Sequence, residues 1–431
     1  TSLIGGRRGT GGAGQWKAVN PATGEELEPA YQGESPEAAG AACAAADEAF
    51  QTYRATSGKE RAAFLRAIAE EIDAVEDEIA ARMTQETALP EGRCRMEKGR
   101  TCFQLRLFAD LVEEGSWVDA RIDHADPDRA PVPKPDVRSM WRPLGPVAVF
   151  CASNFPLAYS VAGGDTASAL AAGCPVVVNA HWAHPGTAEI VGAAVRRAVE
   201  RCGMPEGVFS LLFGQGVDVG QALVKHPAIR AVGFTGSRSG GRALMDLAAA
   251  RAEPIPVWAE MSAVNPVFIL PGAMRERGEA IAEGFVGSLT LGVGQFCTNP
   301  GLVFTGAEGR SAFADRVAEL ASGTAPATML HAGITANYHA GVDALQGKAA
   351  VESLAAVEAD AAANQAGAVV LGAQADAFLT DASMAAEMFG PAALMVEADG
   401  EDKLLTIAAN LEGQLTATVH ATDEDREQFA R

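Results

Sequence analysis

Along the first third of the chain the run of apolar and polar positions reads as helix. Ser35 stands where it can cap a helix over 36–54, and the alanines of that run favour helix strongly. Two further helical stretches follow, over 58–86 and 95–114. From Trp117 to Pro143 the pattern changes to short β-like pieces separated by Pro131, Pro133 and Pro135. Proline suits edges and ribbons, not central strands. Residues 117–139 are therefore expected to form a β-ribbon that projects from the body and pairs with another subunit.

From residue 146 onward, short continuous apolar strands alternate with helical stretches. The strands are 147–150, 175–178, 209–213, 231–235 and 256–260; the helices are 158–172, 186–202, 217–225 and 239–251. That alternation points to a parallel sheet covered on both faces. A second alternating set begins at 265–270 and takes in 302–306, 368–372, 393–397 and 416–421. Two α/β domains joined near residue 262 are expected. The alanine-rich stretch 354–366 reads as low complexity or as helix. No internal repeat is found.

Composition narrows the class. The chain has 431 residues, enough for two or three domains, and is 48% hydrophobic and 21% charged, as ordinary globular enzymes are. A formal net charge of -21 argues against binding nucleic acid or an anionic membrane through a basic surface. Seven cysteines, an odd number with no CxxC pair, suit reduced thiols in a cytoplasm. Thr1 stands where an initiator methionine would, which leaves a removed leader open. No apolar run approaches the roughly 18 residues that cross a bilayer, so the chain is read as soluble.

Candidate chemistry gathers at strand ends. Gly294-Gln295-Phe296-Cys297-Thr298-Asn299-Pro300-Gly301 sets one thiol in a turn, between an apolar helical run and the strand-like Leu302-Val303-Phe304. A thiol there can be reached by a substrate; a small apolar filler is the plainer reading, and both stand at this point. Gly233-Phe234-Thr235-Gly236-Ser237 ends a strand and opens a helix, so free N–H groups there can seat a pyrophosphate, whether or not Ser237 also caps the helix. Gly214 to Gly220 is a looser glycine loop, read as a phosphate loop or a plain strand-to-helix turn. Glu260 closes an apolar strand taken as central, where desolvation would raise its pKa and suit a general base; a solvated strand-end acid is the alternative. Asn154, where another strand meets a helix, can donate its amide to an oxyanion or simply form a turn. His181 and His184 are three residues apart but have no Cys/His/Asp cluster beside them, and no metal is expected. Neither a Walker phosphate loop nor a serine-hydrolase elbow is present.

In this order and spacing the motifs resemble the aldehyde dehydrogenase superfamily. They are Ala152-Ser153-Asn154-Phe155-Pro156, 171–178, Phe234-Thr235-Gly236-Ser237, Ala259-Glu260-Met261, Gly294-Gln295-Phe296-Cys297 and Glu387-Met388-Phe389-Gly390-Pro391. The resemblance runs from Asn20-Pro21-Ala22-Thr23-Gly24 to the last residues. The wording of 263–266 and 295–301 is most similar to the branch containing α-ketoglutaric semialdehyde (2,5-dioxovalerate) dehydrogenases, with fatty-aldehyde dehydrogenases as cousins. The fold implied is α/β: two Rossmann-like three-layer α/β/α domains with a protruding β-ribbon. It places a cofactor-binding domain at 1–116 and 140–262, the oligomerisation ribbon at 117–139 and a catalytic domain at 263–431.

The roles implied follow residue by residue. Cys297 is the nucleophile, Asn154 with the Cys297 N–H the oxyanion donors, and Glu260 the base that activates water. Glu387 would hold the nicotinamide ribose and Phe389 would pack near the ring; Phe155, Asn179, Trp182, Gly236 and Ser237 complete the cofactor set. The product is a carboxylic acid, from an aldehyde, with NADP or NAD as oxidant. A homodimer or homotetramer is implied.

Two positions depart from the family pattern. Asn179 stands where a lysine usually bonds the adenosine ribose, and Trp182 where NAD-preferring members carry a glutamate. Loss of the glutamate removes repulsion of a 2′-phosphate and favours NADP; loss of the lysine weakens both cofactors. Family members also run on well beyond Pro391, farther than Arg431 in this chain, so part of the catalytic domain is expected to be missing. These departures keep open a catalytically silent relative that acts by binding or assembly, and a fatty or other aldehyde remains an alternative substrate. Ester hydrolysis by Cys297 and Glu260 is a possible side activity.

Overall fold

The computed structural model describes residues 1–307 and 310–429. Contacts divide it into two compact units: Thr1–Val19 with Glu26–Met261, and Asn20–Glu25 with Ser262–Arg431.

The first unit is built on a seven-stranded sheet. Its order is Val257–Glu260, Ala231–Thr235, Val147–Phe150, Val176–Asn179, Phe209–Leu212, Leu3–Ile4, Arg7–Arg8. The first five strands are parallel, and Leu3 pairs antiparallel with Leu211. Alternation along each strand separates the two faces. Ala148, Phe150, Val177, Leu212 and Val232 form one core with Pro36–Tyr53, Asp218–Lys225 and Arg238–Ala249. On the opposite face lie Gly164–Ala172 and Pro185–Cys202, the latter so close that a Cβ on Gly192 would stand 2.5 Å from Leu211. Each fully buried Leu or Phe contributes about 1.5–3 kcal/mol. The expected ribbon is present: Arg121–Asp123 pairs antiparallel with Val137–Ser139, an Asp126–Lys134 bridge extends it, and both strands are exposed.

The second unit carries six strands in the order Val351–Ala356, Val369–Gln374, Ala392–Ala398, Leu302–Gly306, Val267–Ile269, Thr418–His420. All are parallel except Val351–Ala356 at one edge. Leu302, Phe304, Leu371 and Leu394 face one core, with Tyr338, Val342 and Ile407. Val303, Val370, Ala393 and Met395 face the other, with Phe285, Leu289 and Val317. Each unit is thus helix, sheet, helix. No helix among the described residues is long and apolar enough to cross a membrane.

Four expectations need correction. The stretch 58–86 is two helices, Gly58–Asp73 and Glu76–Thr87, because Val75 leaves helical geometry (φ -118°, ψ 23°) and three acids occupy the first turn of the second helix. Residues 158–163 are turns, and the helix begins only at Gly164; buried Glu97 captures the N–H groups of Leu157 and Ala158 at 2.8 and 3.0 Å. The alanine-rich stretch is neither disordered nor helical. It holds part of the strand Val351–Ala356, a 3₁₀ turn Ala361–Ala363 and the short strand Gln365–Ala366, since pairing with Val369–Gln374 and with Ala327–Thr328 overrides alanine's preference. Finally, Val257–Glu260 is the edge strand of its sheet, not a central one, and Trp258 is 63% exposed.

Candidate active site

In the first unit the candidate residues collect on one edge of the sheet. Register sets Phe150 beside Asn179 and Phe234, and Thr235 beside Glu260. From Val147–Phe150 the chain steps outward to Val176–Asn179 and Phe209–Leu212, then returns to add Ala231–Thr235 and Val257–Glu260 on the other side. The order reverses between Val147–Phe150 and Ala231–Thr235. Open α/β sheets bind ligands outside the carboxyl ends of strands at such a reversal. Asn154, Asn179, Gly236, Ser237 and Glu260 all follow or close strands at that edge.

The loop bearing Asn154 is fixed from several sides. Ala152 N donates to Tyr159 O at 2.9 Å, closing the loop on itself. Glu97 holds Leu157 and Ala158 from below, and burial pushes its carboxyl above the usual carboxylate range. His184, fully buried, lies with Nε2 3.0 Å from Ala152 O and donates there as a neutral ring; burial lowers its pKa. Phe155 is buried, with Arg93 4.6 Å over its ring and Tyr159 edge-on at 5.3 Å. Asn154 itself is half-buried.

Beside it, Asn179 closes its strand with a buried Oδ1 that has no hydrogen-bond partner among the described residues. A ribose hydroxyl is the kind of donor that would satisfy it. Trp182, 40% exposed, stacks on His181, and its carbonyl accepts from Trp16 Nε1 at 3.1 Å. Buried Glu86 anchors the helix that follows, accepting from Gly186 N at 2.7 Å and Thr187 N at 2.8 Å, a charge-assisted cap worth about 1–2 kcal/mol. Ser237 caps Arg238–Ala249 by accepting from Gly240 N at 3.2 Å. Gly236 N donates to Glu260 O at 3.0 Å. The Glu260 carboxyl is half-buried, and desolvation raises its pKa, the direction a base working near neutrality needs. A buried amide oxygen without a partner among the described residues, a broad aromatic face and a helix start on one sheet edge fit a dinucleotide.

The second unit holds Cys297, Glu387 and Phe389. Five cysteines (Cys43, Cys94, Cys102, Cys151 and Cys174) are buried, whereas Cys297, like Cys202 at a helix end in the first unit, is partly exposed. Burial pushes Cys43, Cys102 and Cys151 up to about 12. Such thiols stay protonated and unreactive. The Cys297 turn is clamped by Asn265, whose Nδ2 donates to Cys297 O at 2.8 Å and to Asn299 O at 2.9 Å. Thr416 in turn donates to Asn265 Oδ1 through N (3.2 Å) and Oγ1 (3.0 Å). Gln295 Oε1 accepts from Leu330 N at 2.9 Å. The loop with Glu387 and Phe389 lies against the same turn: Asn299 Nδ2 donates to Gly390 O at 3.0 Å. Gly294 has φ +65°, and a Cβ there would stand 2.3 Å from Gly390 C. Only glycine fits. Glu387 Oε1 accepts from Ala263 N at 3.3 Å, and Glu387, Phe389, Phe296 and Asn299 line a small cavity.

Sequence reasoning passed over Asn265, quoted only as part of a motif, and Glu97, which lies on a helix far from any motif. No sequence signal marks Asn265; the structure shows why an asparagine suits the position, since its φ of +45° is one that asparagine tolerates better than most residues.

A sequence profile of the aldehyde dehydrogenase family matches residues 10–431. The chain belongs to the aldehyde dehydrogenase family. As a member it is an oxidoreductase that acts on aldehyde groups with NAD or NADP. It is 50% identical over 426 residues to alpha-ketoglutaric semialdehyde dehydrogenase 2 of Azospirillum brasilense, which covers 98% of this chain and 81% of that protein. A second relative, alpha-ketoglutaric semialdehyde dehydrogenase of Acinetobacter baylyi, is 42% identical over 389 residues, 90% of this chain and 74% of that one. Solved structures share the fold. An NAD-dependent benzaldehyde dehydrogenase from Corynebacterium glutamicum superposes with TM-score 0.83 at 24% identity, over 100% of this chain and 91% of that one. An NADP-dependent enzyme of E. coli does so with TM-score 0.84 at 24% identity, over 100% and 87%. The branch read from the Cys297 and Asn265 motifs agrees with both sequence relatives.

Proposed function

We propose that this chain oxidises α-ketoglutaric semialdehyde to 2-oxoglutarate, with Cys297, Asn154 and Glu260 as its catalytic residues. The observation that carries the substrate is the 50% identity, over 98% of the chain, to a protein named for that semialdehyde.

The Cys297 thiolate adds to the aldehyde carbon, forming a C–S bond and an oxyanion. The Asn154 amide and the Cys297 N–H donate to that oxygen, and one such donor is typically worth about 3–4 kcal/mol. A nicotinamide held beside this turn would supply the two-electron acceptor, taking the hydride of the aldehyde carbon, which would leave the substrate as a thioester on Cys297. Glu260 then takes a proton from water, the hydroxide adds to the thioester carbon, and the C–S bond breaks to return the thiolate and release the acid. The Asn265 clamp on Cys297 O and Asn299 O supports this reading, because it fixes the turn that aims the sulfur.

Asn179, Trp182, Gly236, Ser237 and Phe155 would hold the cofactor's nucleotide part, and Glu387 and Phe389 its nicotinamide end. NADP is preferred over NAD, since no acidic side chain at Trp182 repels a 2′-phosphate. The exposed ribbon 117–139 pairs with another copy in a homodimer or homotetramer, and the protein works in the cytoplasm.

The test is kcat/KM for α-ketoglutaric semialdehyde against a long-chain aldehyde, with each cofactor. Preference for the semialdehyde with NADP is expected. Preference for the long chain would overturn the substrate, preference for NAD the cofactor assignment, and no turnover by folded protein the enzymatic reading.

A further inference from the structure

The helix Glu91–Glu114 carries five cations, and four are spent on carboxylates. Arg93 pairs with Glu97, Arg95 with Glu76, Asp77 and Glu91, Lys98 with Asp73 and Glu76, and Arg106 with Asp73. Arg100 forms no ion pair among the described residues. Its guanidinium is exposed and so can be reached by a carboxylate from outside the chain.

Its surroundings say which partner. Arg93, Glu97 and Arg100 lie on one helical face, at i, i+4 and i+7, and that face meets the Asn154 loop step by step. Arg93 lies over Phe155, Glu97 holds Leu157 and Ala158, and Arg100 reaches Tyr159. Arg100 stacks 4.9 Å over the Tyr159 ring and donates one N–H to its hydroxyl at 2.7 Å. Tyr159 is held edge-on by Phe155 and by its backbone bond to Ala152. The guanidinium is therefore oriented, with N–H groups left for a planar, bidentate anion. Its location matters, because Tyr159 and the proposed oxyanion donor Asn154 belong to one closed loop.

We infer that Arg100 binds the carboxylate at the far end of the substrate from the aldehyde, and that Tyr159 donates its O–H to the adjacent 2-oxo oxygen. The phenol oxygen already accepts from Arg100, so its own proton is the group available to a keto acceptor. This rests on the substrate proposed above and adds the residues that select it: Arg100 for the charge, Tyr159 for the keto group.

Three aldehydes differing by one group at a time test it: 2,5-dioxopentanoate, 5-oxopentanoate and pentanal, with wild type, Arg100→Met, Arg100→Lys and Tyr159→Phe. For Arg100→Met, the kcat/KM ratio of 2,5-dioxopentanoate to pentanal should fall by about a hundredfold, mostly through KM. Arg100→Lys should recover part of that loss. For Tyr159→Phe, the ratio of 2,5-dioxopentanoate to 5-oxopentanoate should fall by about tenfold. Equal losses on all three aldehydes would mark a structural role and overturn the inference, as would unchanged ratios. A wild type that prefers 5-oxopentanoate, yet loses both oxo acids in Arg100→Met, would defeat the proposed substrate and the Tyr159 role while keeping Arg100 as anchor. A wild type that prefers pentanal would defeat both.

Discussion

Asn265 Nδ2 lies 2.8 Å from the carbonyl oxygen of Cys297 and 2.9 Å from that of Asn299, so a single amide closes the turn that presents the thiol. Its Oδ1 is occupied by Thr416, which leaves the side chain no freedom to rotate. Asn265→Gly keeps the left-handed backbone (φ +45° in the native chain) but removes every one of these bonds. Stability should fall by roughly 2 kcal/mol or more, as buried groups lose their partners, and kcat should fall with it. Asn265→Ala should be worse, since it adds backbone strain. Thermal melts and steady-state rates check the order; an Ala variant as active as wild type would show that the clamp does not aim the sulfur.

Gly294→Ala tests the contact between the Cys297 turn and the loop of Glu387 and Phe389. The new Cβ would stand 2.3 Å from the Gly390 carbonyl carbon, at φ +65°. The left-handed conformation alone costs an alanine about 1–2 kcal/mol, and the clash adds to it. A clear drop in melting temperature with loss of activity is expected. An unchanged melt would mean that the two loops do not meet.

The pH profile should carry the signature of Glu260. Desolvation raises its pKa above the ordinary 4.5, and only the deprotonated form accepts a proton from water. Thioester hydrolysis should therefore fall with decreasing pH through a value above 4.5. Glu260→Gln should lower steady-state turnover on the order of a hundredfold or more and abolish that limb, leaving one burst of reduced cofactor per site. An unaltered acid limb in Glu260→Gln would assign the base elsewhere.

His184 gives a stability effect of definite sign. Burial depresses its pKa below 6.5, so the unfolded chain takes up the proton more readily than the folded one. Its contribution is present above 6.5 and is lost as pH falls from there toward the lowered folded value. The wild-type melting temperature should decline over that window more steeply than that of His184→Gln. Equal slopes would contradict a buried neutral ring on Ala152 O.

Much of the fold was legible because each signal was local. Runs such as Val147–Phe150 and Val176-Val177-Val178 are apolar without alternation, as strands covered on both faces must be, and Ser35 capped its helix as expected. What escaped depends on partners distant in sequence. Residues 158–163 would continue a helix but for Glu97, some sixty positions away. Residues 351–356 become strand because Val369–Gln374 offers an edge. Glu260 read as the tip of a central strand because an apolar run does not reveal its neighbours, and here Val257–Glu260 has one strand beside it among the described residues. The site followed the same rule. Cys297, Asn154 and Glu260 stand in recognisable strings, whereas Asn265 and Arg100 acquire meaning only through what they touch.

The proposed chemistry turns on a covalent thioester at Cys297, and trapping that intermediate decides it. Glu260→Gln enzyme, mixed with NADP and α-ketoglutaric semialdehyde and quenched in acid, should carry one 2-oxoglutaryl group per chain. Peptide mapping should place it on Cys297, and Cys297→Ala should carry none and turn over no aldehyde. An adduct on another cysteine, or aldehyde oxidation that persists in Cys297→Ala, would contradict it.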